Sequence, residues 1–247
     1  MASKAVHLEF EIDGQPIPFL LHREWRKSVR FALGKKGVLI RLPRYYTKTQ
    51  VSSELQKAVD WVASLKINKP DILERYQLRR YQSGDLIEIY GHTYVIQLED
   101  VRGDQKYSRA RLKSGVIHIK LAEDDPILLP QTISTLLSRV VSQDNLPRIK
   151  RRVDELNHLH FQKHIKDVRL KYNTSNWGSC STRGNINLSS RLLFAPLDVQ
   201  DYVIIHELAH LIEHNHSSRF WNLVEDAMPD YKEKERWLKV NGNLCNY

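Results

Sequence analysis

Residues 202–212 read YVIIHELAHLI, an apolar stretch interrupted by His206, Glu207 and His210. This pattern predicts an α-helix, on which residues four apart share one face about 6 Å apart along the axis. Two imidazoles at that spacing can converge on one zinc ion at about 2.1 Å each. Glu207 is rotated by about 100° from His206, so its carboxylate can act as general base toward an attacking water.

A catalytic zinc site usually takes a third protein ligand, and two further histidines follow the helix, His214 and His216. In a continuous helix His214 lies about 12 Å along the axis from His206, whereas ligand atoms on one zinc lie within about 4 Å of one another. Asn215 suits the left-handed conformation that ends helices, so a reversal there can return His216 to the metal. The predicted zinc ligands are therefore His206, His210 and His216.

The N-terminal half alternates between strand patterns and turn residues such as Asp13-Gly14 and Ser114-Gly115. A hairpin is predicted around Gly34–Gly37 and a helix over Gln50–Leu65. Strands are predicted at Val6–Ile12, Ser28–Leu33, Gly37–Leu42, Asp85–Tyr90, Thr93–Leu98, Arg109–Leu112 and Val116–Leu121.

The C-terminal half is mainly helical, with helical spacing from Gln131 to about His164 and a break expected near Pro147. Strands are predicted at Val168–Tyr172 and Gly184–Leu188. The remaining helices lie within 198–237, where the predicted N-caps are Asp198 and the serine at 217. No internal sequence repeat is visible.

Cysteine content, hydropathy and net charge disfavour several classes of protein. The chain has 247 residues, two cysteines and a formal net charge of +9, so a disulfide framework and a cysteine-rich zinc module are both disfavoured. It has neither a membrane-spanning apolar run nor a signal-peptide pattern, which makes the cytoplasm the expected location. The positive charge favours anionic partners and leaves contact with nucleic acid open. The basic run over residues 139–163 is interpreted as a solvated helix face rather than a phosphate footprint.

Three motifs occur in the order Trp177–Cys180, His206–His210 and Asn215–Ser217. In these motifs the sequence resembles the YgjP-like metallopeptidase family, which is related to the SprT-like and WLM zincins. The resemblance is tight over about residues 165–240. It implies zinc held by the three histidines, Glu207 as general base, and the loop at 177–180 near the site. Ser189-Ser190 departs from the Asn-Trp-like pair expected there, which bears on local packing or substrate fit.

The sequence and this resemblance together predict an α+β protein. A β-rich N-terminal region, residues 1–125, precedes residues 126–247, which comprise a helical segment and a zincin-like metal-binding domain with a small sheet and an active-site helix. No membrane partner is expected.

The favoured function is a zinc metallopeptidase acting on protein or peptide, with oxyanion donors to be sought among Tyr172, Tyr202, Tyr231 and Arg219. One alternative is a metal-dependent hydrolase of nucleotides or other phosphorylated small molecules, suggested by the charge although no Walker-type glycine loop is present. Another is a basic nucleic-acid-binding module with a structural metal, which would not need Glu207. Cys180 is interpreted as a small buried hydrophobe rather than a fourth ligand or a redox-sensitive thiol, and Trp177 as a packing residue.

Overall fold

The computed structural model describes residues 5–34, 37–68, 73, 76, 79–100, 107–122 and 129–247. In these residues the chain forms 11 strands in three small sheets and five α-helices, which confirms the predicted α+β class. Contacts between Cα atoms define two compact units: Met1–Arg80 with Ala122–Thr132, and Tyr81–Leu121 with Ile133–Tyr247. The predicted boundary at residue 125 lies outside the described residues, and a division into 1–125 and 126–247 remains a prediction.

The first unit contains a four-stranded sheet covered by one helix. Its elements are β1 (Val6–Ile12), β2 (Gln15–Glu24), β3 (Arg30–Leu33), β4 (Val38–Pro43) and α1 (Lys48–Asn68). Asp13 and Gly14 both have positive φ, as a tight two-residue hairpin turn requires. The order is β1-β2-β4-β3, with β2 parallel to β4. The β3–β4 hairpin is confirmed, although Lys35 and Lys36 of its turn lie outside the described residues.

The second unit opens with a sheet of the same topology. Its strands are β5 (Leu86–Ile89), β6 (His92–Asp100), β7 (Arg109–Lys113) and β8 (Val116–Leu121), in the order β5-β6-β8-β7 with β6 parallel to β8. The helix α2 (Leu129–His160) follows. Tyr94 of β6 donates to Asp144 Oδ2 of α2 at 2.5 Å and accepts from Asn145 Nδ2 at 3.0 Å. A strand–strand–strand–strand–helix order therefore occurs twice, although the sequence shows no repeat.

The remaining elements of the second unit surround one central helix. They are β9 (Asp167–Lys171), β10 (Gly178–Cys180), β11 (Asn185–Ser189), α3 (Leu197–Ala209), α4 (Ser218–Ala227) and α5 (Tyr231–Asn241). The sheet order is β10-β11-β9, so β10 is an edge strand. Helix α3 packs on β10, β11, α4 and α5. Because it is enclosed on several sides, most of its residues are buried and it shows no polar face.

Two sequence expectations about helix ends are wrong. Asp198 is not the N-cap of α3, because the helix begins at Leu197 after Pro196. Asp198 lies in the first turn, where its carboxylate accepts from the Val199 N–H at 2.9 Å and its charge suits the helix dipole. The expected break near Pro147 is absent, and α2 continues through this residue. No helix in the described part of the chain is long and apolar enough to cross a membrane.

We predict that Pro147→Ala stabilises the protein. Proline in a helix interior costs about 3 kcal/mol because it cannot donate to the carbonyl four residues back. The more flexible unfolded chain of the variant offsets up to about 1 kcal/mol of this gain. Pro147 is exposed, so little packing is lost, and urea denaturation should show a net gain of about 2 kcal/mol. Gln143→Ala, also exposed on α2, is the control and should change stability by less than about 0.5 kcal/mol. Unchanged or lower stability of Pro147→Ala would contradict this account of the helix.

Candidate metal centre and cleft

The central helix α3 carries the first two histidines of the motif near its C-terminal end. His206 lies in its last turn, and His210 is the residue that caps it. Glu207 is 5% exposed and faces the interior. Since α3 is buried among other elements, the two imidazoles and the carboxylate are held by a rigid scaffold.

The chain turns back after α3 earlier than the sequence indicates. The helix ends at Ala209 rather than near Asn215, and the N–H groups of Leu211 and Ile212 donate to carbonyls of its last turn at 2.9 and 3.0 Å. Asn215 has no positive φ, contrary to expectation. Its Oδ1 accepts from the Ser217 N–H at 3.0 Å, so its side chain closes a local turn instead of its backbone ending the helix. Ser217 then caps α4, as predicted, by accepting from the Phe220 N–H at 3.4 Å.

This turn brings His216 to His206 and His210. The three ring centroids lie 5.1, 5.1 and 4.8 Å apart, and one nitrogen of each ring lies within 4.8 Å of the others. The Nε2 atoms of His206 and His216 are 3.1 Å apart, close to the separation of about 3.4 Å expected for two ligands in a tetrahedron with bonds of about 2.1 Å. His214 is exposed and lies outside this group.

Phe220 packs against all three imidazoles. Its side chain is fully buried, and its ring centroid lies 4.9 Å from that of His206, 4.5 Å from that of His210 and 4.8 Å from that of His216. Phe220 follows the Ser217 cap by three residues, so the same turn places both His216 and the aromatic ring that supports it.

The surroundings of His206 and His210 favour neutral imidazoles, which is the form that binds metals. Burial, reinforced by the other two histidines, lowers the pKa of His206 to about 4. Burial also lowers the pKa of His210. The Nδ1 of His210 lies 3.0 Å from the backbone carbonyl oxygen of Glu213, so an N–H there donates and leaves Nε2 free as a ligand.

Glu207 is packed tightly against the edge strand β10. A Cβ atom built on Gly178 would lie 2.4 Å from Glu207 Oε1, so any larger residue at 178 would displace the carboxyl group. Burial raises the Glu207 pKa to about 8, and its Oε2 atom is buried without a hydrogen-bond partner. A lone buried carboxyl group is costly unless another group compensates it.

These residues fit a divalent metal with a preference for nitrogen ligands. Three imidazole nitrogens converge, and one is oriented by a hydrogen bond from its other ring nitrogen. Glu207, which follows His206 on α3, has an oxygen without a hydrogen-bond partner. No other group of three histidine, cysteine or carboxylate side chains within metal-binding distance was found among the described residues.

A cleft of about 350 Å³ opens beside Glu207 and His206. Val203 and Tyr202 of α3 and Leu238 of α5 line it. Further lining residues are Asn176, Trp177, Gly178, Glu235 and Lys239. The cleft therefore joins the predicted catalytic residues to the Trp177–Cys180 loop, which the family resemblance placed near the site.

The predicted accessory residues divide into two groups. Of the four candidates for an oxyanion donor, Tyr202 lines the cleft. The ring of Tyr231 stacks on the ring of Tyr202, with centroids 6.3 Å apart. Tyr172 packs instead against Tyr247. Arg219 is largely exposed, with its Nε 4.0 Å from Glu213 Oε2.

Cys180 lies outside the histidine group. Burial, reinforced by Glu207, raises the pKa of its thiol to about 11, so it is protonated at neutral pH and unlike a reactive thiolate. Cys180 is only partly buried, and its structural role remains a prediction.

A match to one protein family covers most of the chain. A family model described as "YgjP-like, metallopeptidase domain" matches residues 27–241. No protein of curated function matches significantly. Among solved structures, the metallopeptidase zymogen of Pyrococcus abyssi abylysin is 26% identical, with 37% of this chain and 93% of that chain covered and a TM-score of 0.34. The zymogen of Methanocaldococcus jannaschii jannalysin is 24% identical, with 39% and 96% covered and a TM-score of 0.33.

We predict that His216→Ala loses metal affinity whereas His214→Ala does not. Removing one of three converging imidazoles should weaken zinc binding by at least about 100-fold. His214 is an exposed residue two positions away and provides the matched control. Competition with a chromophoric zinc chelator measures both affinities. Loss of zinc from the His214 variant with retention in the His216 variant would refute the assignment.

Proposed function

Since the chain belongs to the YgjP-like metallopeptidase family, we propose that it hydrolyses peptide bonds with a zinc ion at the histidine group and Glu207 as general base. The convergence of His206, His210 and His216 beside a buried glutamate is the observation that carries this proposal. We also propose a zincin-like arrangement for the C-terminal elements, with α3 as the active-site helix.

His206, His210 and His216 would hold the zinc ion through one ring nitrogen each. A bound zinc supplies Lewis acidity, which lowers the pKa of a coordinated water toward about 7 and polarises a carbonyl group. The three imidazoles are suited to this because they are held by α3, by the Ser217-capped turn and by the ring of Phe220.

Glu207 accepts the proton of the attacking water. Its pKa of about 8 reflects burial without a compensating charge, and a cation beside it favours the ionised form. A general base is most effective when its pKa lies near the working pH. The backbone of Gly178 confines the carboxyl group, so the base has a defined position without a hydrogen-bond partner of its own.

We propose that Tyr202 donates a hydrogen bond to the substrate carbonyl oxygen as negative charge develops on it. It lines the cleft one helical turn before His206. Burial raises the pKa of its phenol group, so it remains a proton donor at neutral pH. Preorganised donors of this kind stabilise tetrahedral intermediates.

The nucleotide-hydrolase and nucleic-acid-binding alternatives gain no specific support from the cationic face of α2. Arg152 donates to both carboxylate oxygens of Asp201, at 2.8 and 2.6 Å. Lys150 pairs with Asp167 at 3.2 Å. These two cations are partly neutralised within the protein, whereas the solvated helix face over residues 139–163 remains a prediction.

We predict that Glu207→Gln abolishes hydrolysis but keeps the fold and the zinc. The replacement is nearly isosteric, but glutamine cannot take a proton, so the rate should fall by about 10²- to 10⁴-fold. The assay follows cleavage of fluorescently labelled casein, with and without DNA, and ATP hydrolysis in parallel. Glu225→Gln, an exposed change on α4, is the control.

Casein cleavage lost only in the Glu207 variant supports the peptidase proposal. ATP hydrolysis lost in the same way, without casein cleavage, would support the nucleotide alternative instead. Equal activity of Glu207→Gln and wild type would refute the role of Glu207 as base.

A further inference from the structure

The cleft beside Glu207 is lined by the indole ring of Trp177, which is held in place by its neighbours. We propose that it is a specificity pocket for a large apolar side chain next to the scissile bond, with Trp177 as the specificity-determining residue. This inference rests on the proposed peptidase function and names the class of substrate: peptides in which an aromatic or long aliphatic residue flanks the cleaved bond.

The indole ring of Trp177 packs against two residues that are also bonded to each other. The guanidinium carbon of Arg191 lies 4.1 Å from the ring centroid, and a Cβ atom on Gly242 would approach the indole to 2.7 Å. Arg191 Nη2 donates to the Gly242 carbonyl oxygen at 2.5 Å, so the three residues form one clamp. Arg191 itself is buried, so the clamp belongs to the interior rather than to a mobile surface.

The backbone that carries Trp177 is fixed as well. The Trp177 carbonyl oxygen accepts from the Ser189 N–H at 2.8 Å, which extends the pairing of β10 with β11. On either side, Asn176 Nδ2 donates to the Gly178 carbonyl oxygen at 2.9 Å, and Ser189 Oγ donates to the Asn173 carbonyl oxygen at 2.8 Å. A preformed wall costs little ordering entropy when a ligand binds.

Three further lining residues offer apolar surface on helices. Tyr202 and Val203 belong to the buried helix α3, and Leu238 lies on α5, which packs against α3. Tyr202 is supported from behind by the stacked ring of Tyr231. A volume of about 350 Å³ lies at the lower end of the roughly 300–1,000 Å³ typical of ligand pockets, which suits one bulky side chain with the adjoining main chain.

The charges around the pocket argue against an ionic substrate group. Glu235 and Lys239 line it together, but they pair with each other at 2.9 Å. Apart from the proposed base Glu207, the lining residues then offer no unpaired charge to a substrate side chain. A charged side chain would lose its hydration without a partner, whereas an apolar one gains about 25 cal/mol per Å² of buried apolar surface.

The pocket contains His206 and Glu207 as well as the apolar wall. A side chain seated against Trp177 therefore has its own main chain beside the proposed base. This proximity is why the pocket would select the residue adjacent to the cleaved bond rather than a remote one.

Binding is tested first without catalysis. Zinc-loaded protein labelled with ¹⁵N is titrated with N-acetylphenylalanine amide and, separately, with N-acetylaspartic acid amide. The indole N–H signal of Trp177, assigned by its loss in Trp177→Phe, should shift with the phenylalanine compound and stay unchanged with the aspartate compound at the same concentration. Equal shifts, or none with either compound, would overturn the pocket assignment.

Cleavage is tested next on a library of peptides from a digested proteome, with cut sites identified by mass spectrometry. Wild-type protein should cut beside Phe, Tyr, Trp, Leu or Met at one fixed position. Trp177→Ala should lower kcat/KM for the preferred peptides by about 10- to 100-fold, the range expected when apolar pocket contacts are lost. Peptides with alanine at that position should change by less than about threefold, so a general structural defect, which would slow all peptides equally, is distinguishable.

Two further variants sharpen the test. Trp25→Ala, at a residue 84% exposed, is the matched tryptophan control and should retain the wild-type profile. Leu238→Glu places a carboxylate in the pocket and should move the preference toward Lys or Arg. Cleavage without any fixed position would overturn the specificity pocket but leave the peptidase intact. Failure to cut any peptide, with selective binding of the phenylalanine compound, would refute the peptidase proposal and leave the apolar pocket standing.

Discussion

The close packing of the Glu207 carboxyl group against the Gly178 backbone is the constraint on which the rest of the site depends. It joins the buried helix α3 to the edge strand β10 at a point where a Cβ atom on residue 178 would displace the carboxyl group. From this contact the arrangement extends in two directions. Along α3 it leads to the histidines, and along the chain before β10 it leads to the clamped ring of Trp177. One packing contact therefore sets the distance between the proposed base and the proposed substrate pocket.

Much of this was predictable from sequence because the signals are local. Helical spacing alone places His206 and Glu207 on α3 with His210 at its end, and the hairpin turns at Asp13 and Ser114 follow from residues that tolerate positive φ. The return of His216 to the other two histidines was also predicted, but through a partly wrong argument. The reversal depends on an early helix end at Ala209 and on the side chain of Asn215 rather than on its backbone. Local turn chemistry was recognised, but its exact form was not.

What the sequence could not provide is long-range. The parallel pairings of β2 with β4, β6 with β8 and β9 with β11 join strands through crossovers that no local pattern specifies. The short strand β10 has no alternation from which to recognise it. The packing of Gly242 against Trp177 and Arg191 joins residues more than 50 positions apart. The sequence shows a glycine at 178, directly after Trp177, which can indicate a close approach of the backbone to another group. That this group is the carboxyl group of Glu207 is visible only in the structure.

The central claim is that three imidazoles hold a zinc ion beside Glu207, and zinc K-edge X-ray absorption of the purified protein tests it most directly. We expect about one zinc per chain, with a first shell of nitrogen and oxygen atoms near 2.0–2.1 Å and the multiple-scattering pattern of about three imidazole rings. A sulfur shell near 2.3 Å would instead place Cys180 or Cys245 on the metal. That result, or protein that takes up no zinc, would contradict the account.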